Sequence, residues 1–82
     1  MPRYYFDLRD GEDLAVDEEG MELRDIATVQ EEAARSLADM ARDAVRSPAY
    51  MRGQIHRMAI EVRDKTGPVL QVKFTFEVAR PN

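Results

Sequence analysis

The sequence predicts an α+β fold of order β-β-α-β-β: one antiparallel sheet with a single long helix, about residues 25–46, packed on one face. Three observations predict it. Arg3 to Arg9 alternates apolar and polar side chains, the period of a half-buried strand. Ile26, Val29, Ala33, Leu37, Met40 and Ala44 fall in one narrow stripe at helical spacing. His56–Arg63 and Val69–Arg80 alternate again and agree in register across a short loop.

The first strand directs Tyr4, Phe6 and Leu8 to one face and Arg3, Tyr5, Asp7 and Arg9 to the other. Asp10-Gly11 is a turn dipeptide, and Gly11 suits a positive φ. A two-residue loop at Asp10-Gly11 would send Leu14 and Val16 to solvent. The apolar pattern instead favours Leu8 facing Leu14 and Phe6 facing Val16, which needs a three- or five-residue loop. The second strand, about Asp13 to Asp17, is short. Asp17-Glu18-Glu19-Gly20 then forms a turn, and Met21-Glu22-Leu23 is a brief extended lead into the helix.

Asp25 is placed to accept the free amide hydrogens of the first helical turn. Ser47-Pro48 marks the end, because a residue before proline is pushed out of the helical region. A second stripe of small residues, Ala27, Ala34, Ala38, Ala41 and Val45, runs beside the first. It either widens the face on the sheet or admits a second helix in a dimer. Pro48 to Gln54 reads as a loop, with Tyr50 and Met51 folding back on the core.

In the last two strands, a five-residue loop at Asp64–Pro68 pairs Arg63 with Val69. It then sets Val62 opposite Leu70, Ile60 opposite Val72, Met58 opposite Phe74 and His56 opposite Phe76. Every inward residue meets an inward residue. The first and last strands, both bearing Phe, are expected side by side near the centre.

Eighty-two residues form one domain, 1–82, with a core small enough that association would help it. There is no cysteine, so there is no thiol nucleophile, thiolate zinc site or disulfide framework. No apolar run approaches the ~20 residues of a membrane span, and the opening residues lack a signal-like pattern. A cytoplasmic location is the expectation. Residues 1–41 hold 4 basic and 12 acidic side chains, whereas residues 42–82 hold 8 basic and 4 acidic. The net charge of −4 opposes general binding to phosphate backbones.

Three stretches, Met-Pro-Arg-Tyr-Tyr-Phe-Asp-Leu-Arg-Asp-Gly at 1–11, Asp-Glu-Glu-Gly-Met-Glu-Leu at 17–23, and Ile-Glu-Val-Arg-Asp at 60–64 followed by Gly67, span nearly the whole chain. Together they resemble a family of short bacterial proteins catalogued as a domain of unknown function. The resemblance implies the fold above and assigns no activity or catalytic residue. A looser similarity, a strand pair followed by a helix carrying Glu31-Glu32-Ala33, is to HicB-type antitoxins, small acidic proteins that bind a basic toxin.

Chemistry-bearing motifs are few. His56 is the single histidine, and neither Ser36 nor Ser47 sits in a nucleophile turn. The seven acids between Asp10 and Glu22 lack the alternating spacing of a calcium loop and read as a solvated edge. No glycine-rich phosphate loop, metal site or cofactor site is expected. The chain is therefore expected to be non-enzymatic and to act through protein contacts as a homodimer. The candidate contact residues are Ala34, Ala38, Ala41, Val45, Tyr50 and Met51. The alternative is a nucleic-acid-associated or antitoxin-like regulator using Arg57, Arg63 and Lys73 on the polar sheet face.

Overall fold

The computed structural model describes residues 1–46, 55–77 and residue 81. The elements are β1 (Arg3–Asp10), β2 (Asp13–Ala15), β3 (Met21–Glu22), α1 (Ile26–Val45), β4 (Ile55–Asp64) and β5 (Gly67–Glu77). They build one antiparallel sheet of five strands with the helix on one face. The strand order is β2-β1-β4-β5, and β3 joins the same edge of β1 as β2. The predicted order thus gains one short strand, β3, where only an extended lead-in was expected.

The strand order corrects the expected neighbours. β1 pairs with β4, and β5 lies at the edge. Burial explains this. Met58, Ala59, Ile60 and Val62 are all buried, on both faces of β4, so β4 belongs in the middle. Phe74 of β5 is 39% exposed and gains less from a central position.

The core lies between the sheet and one helix face. Tyr4, Phe6, Met58, Ile60 and Val62 meet Val29, Ala33 and Leu37. Met40, Ala41 and Ala44 pack partly against them. Ile26 departs from the expected stripe. It is the first residue of the helix and is 47% exposed. Asp25 caps the helix as its position in the sequence predicts, accepting the Thr28 N–H at 2.8 Å and the Thr28 hydroxyl at 2.7 Å. The proline stop and the Pro48–Gln54 loop, with Tyr50 and Met51, lie outside the described residues.

The β4–β5 ladder matches the expected register from His56↔Phe76 to Val62↔Leu70. Beyond it, Arg63 pairs with Pro68 rather than Val69, and Asp64 pairs with Gly67. The Asp64 carboxylate accepts the Thr66 N–H at 2.8 Å and its hydroxyl at 2.6 Å, which tightens the loop to Lys65-Thr66. The residue freed by the shorter loop, Val69, is absorbed as a bulge.

The first hairpin overturns the pairing of Leu8 with Leu14. Asp10 pairs with Asp13, Arg9 with Leu14 and Leu8 with Ala15, around a two-residue loop of Gly11 and Glu12. Gly11 has φ 63°. Leu14 and Val16 are left 44% and 56% exposed. Polar bonding selects this register over the apolar pattern. The Asp17 N–H donates to Asp7 Oδ1 at 2.9 Å, and Asp17 Oδ2 accepts the Phe6 N–H at 3.1 Å. The Asp17 carboxylate thereby occupies the gap on β1 between β2 and β3.

Candidate functional site

Two surfaces contain the residues singled out in the sequence. One is the polar face of the sheet, opposite the helix. The other is the outer edge of β5 with the neighbouring helix surface.

On the polar face, alternation brings Arg57, Ala59, Glu61 and Arg63 of β4 between Tyr5, Asp7 and Arg9 of β1 and Gln71, Lys73 and Thr75 of β5. Arg63 is fully engaged there. Its Nε donates to Asp7 Oδ2 at 2.9 Å, and Nη2 donates to the Asp17 carbonyl at 2.9 Å. The guanidinium also lies 4.5 Å from the Tyr5 ring centroid. Hydrogen bonding to Asp7 holds the Arg63 pKa above its ordinary value. Arg9 donates to Glu61 at 2.6 Å, and that bond likewise raises the Arg9 pKa. Gln71 donates to the same Glu61 oxygen at 3.3 Å.

Arg57 and Lys73 differ. Both are exposed, and neither makes an ion pair among the described residues. With Arg9 and Thr75 they line an open cleft of ≈ 400 Å³ beside the buried Ala59. The three basic residues grouped by the sequence thus separate into one structural arginine and two available cations. His56 packs against Phe76, ring centroids 5.4 Å apart. Among the described residues, no group of three or more His, Asp or Glu side chains is placed to hold a metal ion.

The second surface follows from the position of β5. Ten of its eleven residues pair with β4 on one side, and among the described residues no strand covers the other side. Beside this edge lies an open groove of ≈ 450 Å³ lined by Ala38, Ala41, Arg42, Phe74 and Phe76. The Phe74 and Phe76 rings are 5.5 Å apart. Ala27, Ala34 and Ala38 are exposed and Ala41 is half-buried, so most of the small-residue stripe faces solvent rather than widening the contact with the sheet. Ala38 and Ala41 come together here. The Val45 side chain, Tyr50 and Met51 lie outside the described residues.

Phe74 and Phe76 are the contact candidates that the sequence pattern missed. Alternation assigns both to the apolar face, which is correct, but alternation does not report whether a helix reaches far enough to cover an edge strand. Among the described residues, β5 is the last strand in chain order.

No helix among the described residues is long and apolar enough to cross a membrane. Neither the curated proteins nor the solved structures contain a match to the chain. The sequence profile of a family described as a domain of unknown function, DUF6894, matches residues 3–75. That span begins at the first residue of β1 and takes in both hairpin turns, the helix and β5 as far as Thr75. The chain is thus a member of the DUF6894 family.

Proposed function

We propose that this protein is a small, non-enzymatic interaction module that works as a homodimer, and that the contact surface is the outer edge of β5 with the adjoining Ala38, Ala41, Phe74 and Phe76 groove. The observation that carries this reading is the coincidence of the two features. A long strand offers a row of backbone donors and acceptors beside an apolar groove that the helix leaves open. Small residues on the helix let another element approach closely.

The nucleic-acid alternative has less support, because Arg63 is tied to Asp7 and only Arg57 and Lys73 remain for phosphate contacts. The net charge of −4 opposes it as well. Light scattering on size-separated protein tests the proposal. The expected result is a dimer mass, lost in Phe74→Asp and Ala38→Arg and kept in Arg57→Glu. A monomer across the accessible concentration range rules the reading out. Salt-sensitive nucleic-acid binding that Arg57→Glu abolishes would replace it with the alternative.

A further inference from the structure

The direction of the backbone groups on β5 follows from one hydrogen bond at the far side of β4. The Gly11 N–H donates to the Arg57 carbonyl at 2.9 Å, so Arg57 turns its backbone groups towards β1. In an antiparallel ladder the N–H and C=O of a residue face the same side, and successive residues alternate. Thr75, directly opposite Arg57, therefore turns its own groups away from β4. Gln71, Lys73 and Glu77 follow at two-residue steps. These residues present their N–H and C=O to the open edge, and their side chains stand on the polar face.

A second copy pairing antiparallel along this edge must keep both helices on one face, or Phe74 and Phe76 would turn to the polar side. That leaves a few registers. Centred on Lys73, the register sets Lys73 against its own copy, with like charges opposed. Centred on Phe74, it sets Lys73 against Thr75 and Glu77 against Gln71. Centred on Thr75, it sets Lys73 opposite Glu77 of the second copy, and Glu77 opposite the second Lys73. The same register puts Phe74 opposite Phe76 of the second copy twice over, forming one four-ring cluster.

We infer that β5 pairs with a second copy of itself about a two-fold axis at Thr75, joined by two reciprocal Lys73–Glu77 ion pairs and the four phenylalanines. This rests on the homodimer reading above and adds its geometry. The helix packs across β4 and β5. Small side chains let two helices approach closely, and the exposed Ala34 and Ala38 offer such a surface.

Cysteine cross-linking tests the register, because the chain has no cysteine of its own. Thr75→Cys brings two thiols together at a Cα separation of about 5.5 Å, within the roughly 4.4–6.8 Å range of a disulfide. Oxidation is expected to give a covalent dimer in high yield. Gln71→Cys, roughly 27 Å from its copy at about 3.4 Å per residue, is expected to stay monomeric on a denaturing gel. Lys73→Glu alone should weaken the dimer about tenfold, and Lys73→Glu with Glu77→Lys should restore it to within about threefold. Circular dichroism confirms that each variant is folded. A dimer by light scattering without the Thr75→Cys cross-link, or with the Gln71→Cys one, overturns the register and leaves the edge-pairing reading standing. A monomer overturns both.

Discussion

The Asp7 carboxylate, on the polar face of the sheet yet only 7% exposed, is held by Arg63 from the neighbouring strand at 2.9 Å. It also accepts the Asp17 N–H. One acid therefore binds β4 to β1 and secures the turn after β2. Asp7→Ala removes the counter-charge of Arg63 and the acceptor for Asp17 together. Arg63 is partly exposed, so water recovers some of the loss. The expected cost is about 2 kcal/mol, a fall in Tm of about 8–16 °C for a domain of this size. Asp7→Asn keeps an acceptor oxygen and should lose less. Thermal unfolding of both variants is the check; equal losses would mean that charge, not hydrogen bonding, dominates.

The two-residue loop of the first hairpin predicts a contrast between two aliphatic residues. Ile60 is fully buried, and Ile60→Ala should cost about 3–4 kcal/mol. Leu14 faces solvent, and Leu14→Ala should stay within about 0.5 kcal/mol of the parent. Urea titration measures both. A loss above about 1.5 kcal/mol for Leu14→Ala would mean that Leu14 packs inward after all.

Two glycines with similar backbone angles should respond differently to alanine. Gly11 has φ 63° with nothing within 4 Å of an added methyl, so Gly11→Ala bears only the left-handed backbone cost of about 1–2 kcal/mol. Gly20 has φ 72°, and its Cβ would meet Arg3 Cγ and Tyr5 Cε1 at 2.9 Å and the Tyr4 carbonyl oxygen at 3.0 Å. Gly20→Ala should therefore be the more damaging by about 1 kcal/mol or more. Paired denaturation curves decide it, and an equal or reversed order would sink the steric account.

Acid should unfold the protein through a small set of carboxylates. Burial pushes the Asp17 pKa up, but the Phe6, Gly20 and Glu19 amide hydrogens and the Arg63 charge pull it further down, and the net position is below the ordinary carboxylate value. Asp25 is lowered by its bonds to Thr28, and Asp64 by its bonds to Thr66. A carboxylate with a depressed folded-state pKa stabilises above its unfolded value, about 3.9 for Asp. That stability is lost as pH falls through the folded value. The urea midpoint is expected to hold level from neutral pH to about 5 and to decline below about 4. Asp17→Asn should have a lower plateau and a shallower decline. An unchanged acid limb would show that Asp17 does not carry the effect.

The parts of the fold that could be read from the sequence were those governed by apolar periodicity. Val62, Ile60 and Met58 meet Leu70, Val72 and Phe74 because one register satisfies every inward residue at once. Asp25 caps the helix because a cap is a local event, complete within three residues. The first hairpin misled because its register is decided by Asp17, Asp7 and the Phe6 amide, whose bonds connect residues ten or eleven apart and leave no trace in alternation. Arg63 likewise gave no sign of its structural role, since Asp7 lies 56 residues away in the chain. On the candidate contact surface, the alanine stripe was visible, but its solvent exposure and its meeting with Phe74 and Phe76 depend on how far the helix reaches across the sheet.

The Asp17 carboxylate fills the gap that β2 and β3 leave along β1. Two short strands and one side chain finish that border of the sheet, leaving a stub of three residues at its rim. Among the described residues, the opposite border, β5, is the longer unpaired edge. A sheet with two receptive borders adds copies without limit and grows into fibres. A sheet with one receptive border stops after a single addition. By taking up the Phe6 N–H, the Asp17 side chain stands where a further strand would otherwise pair with β1.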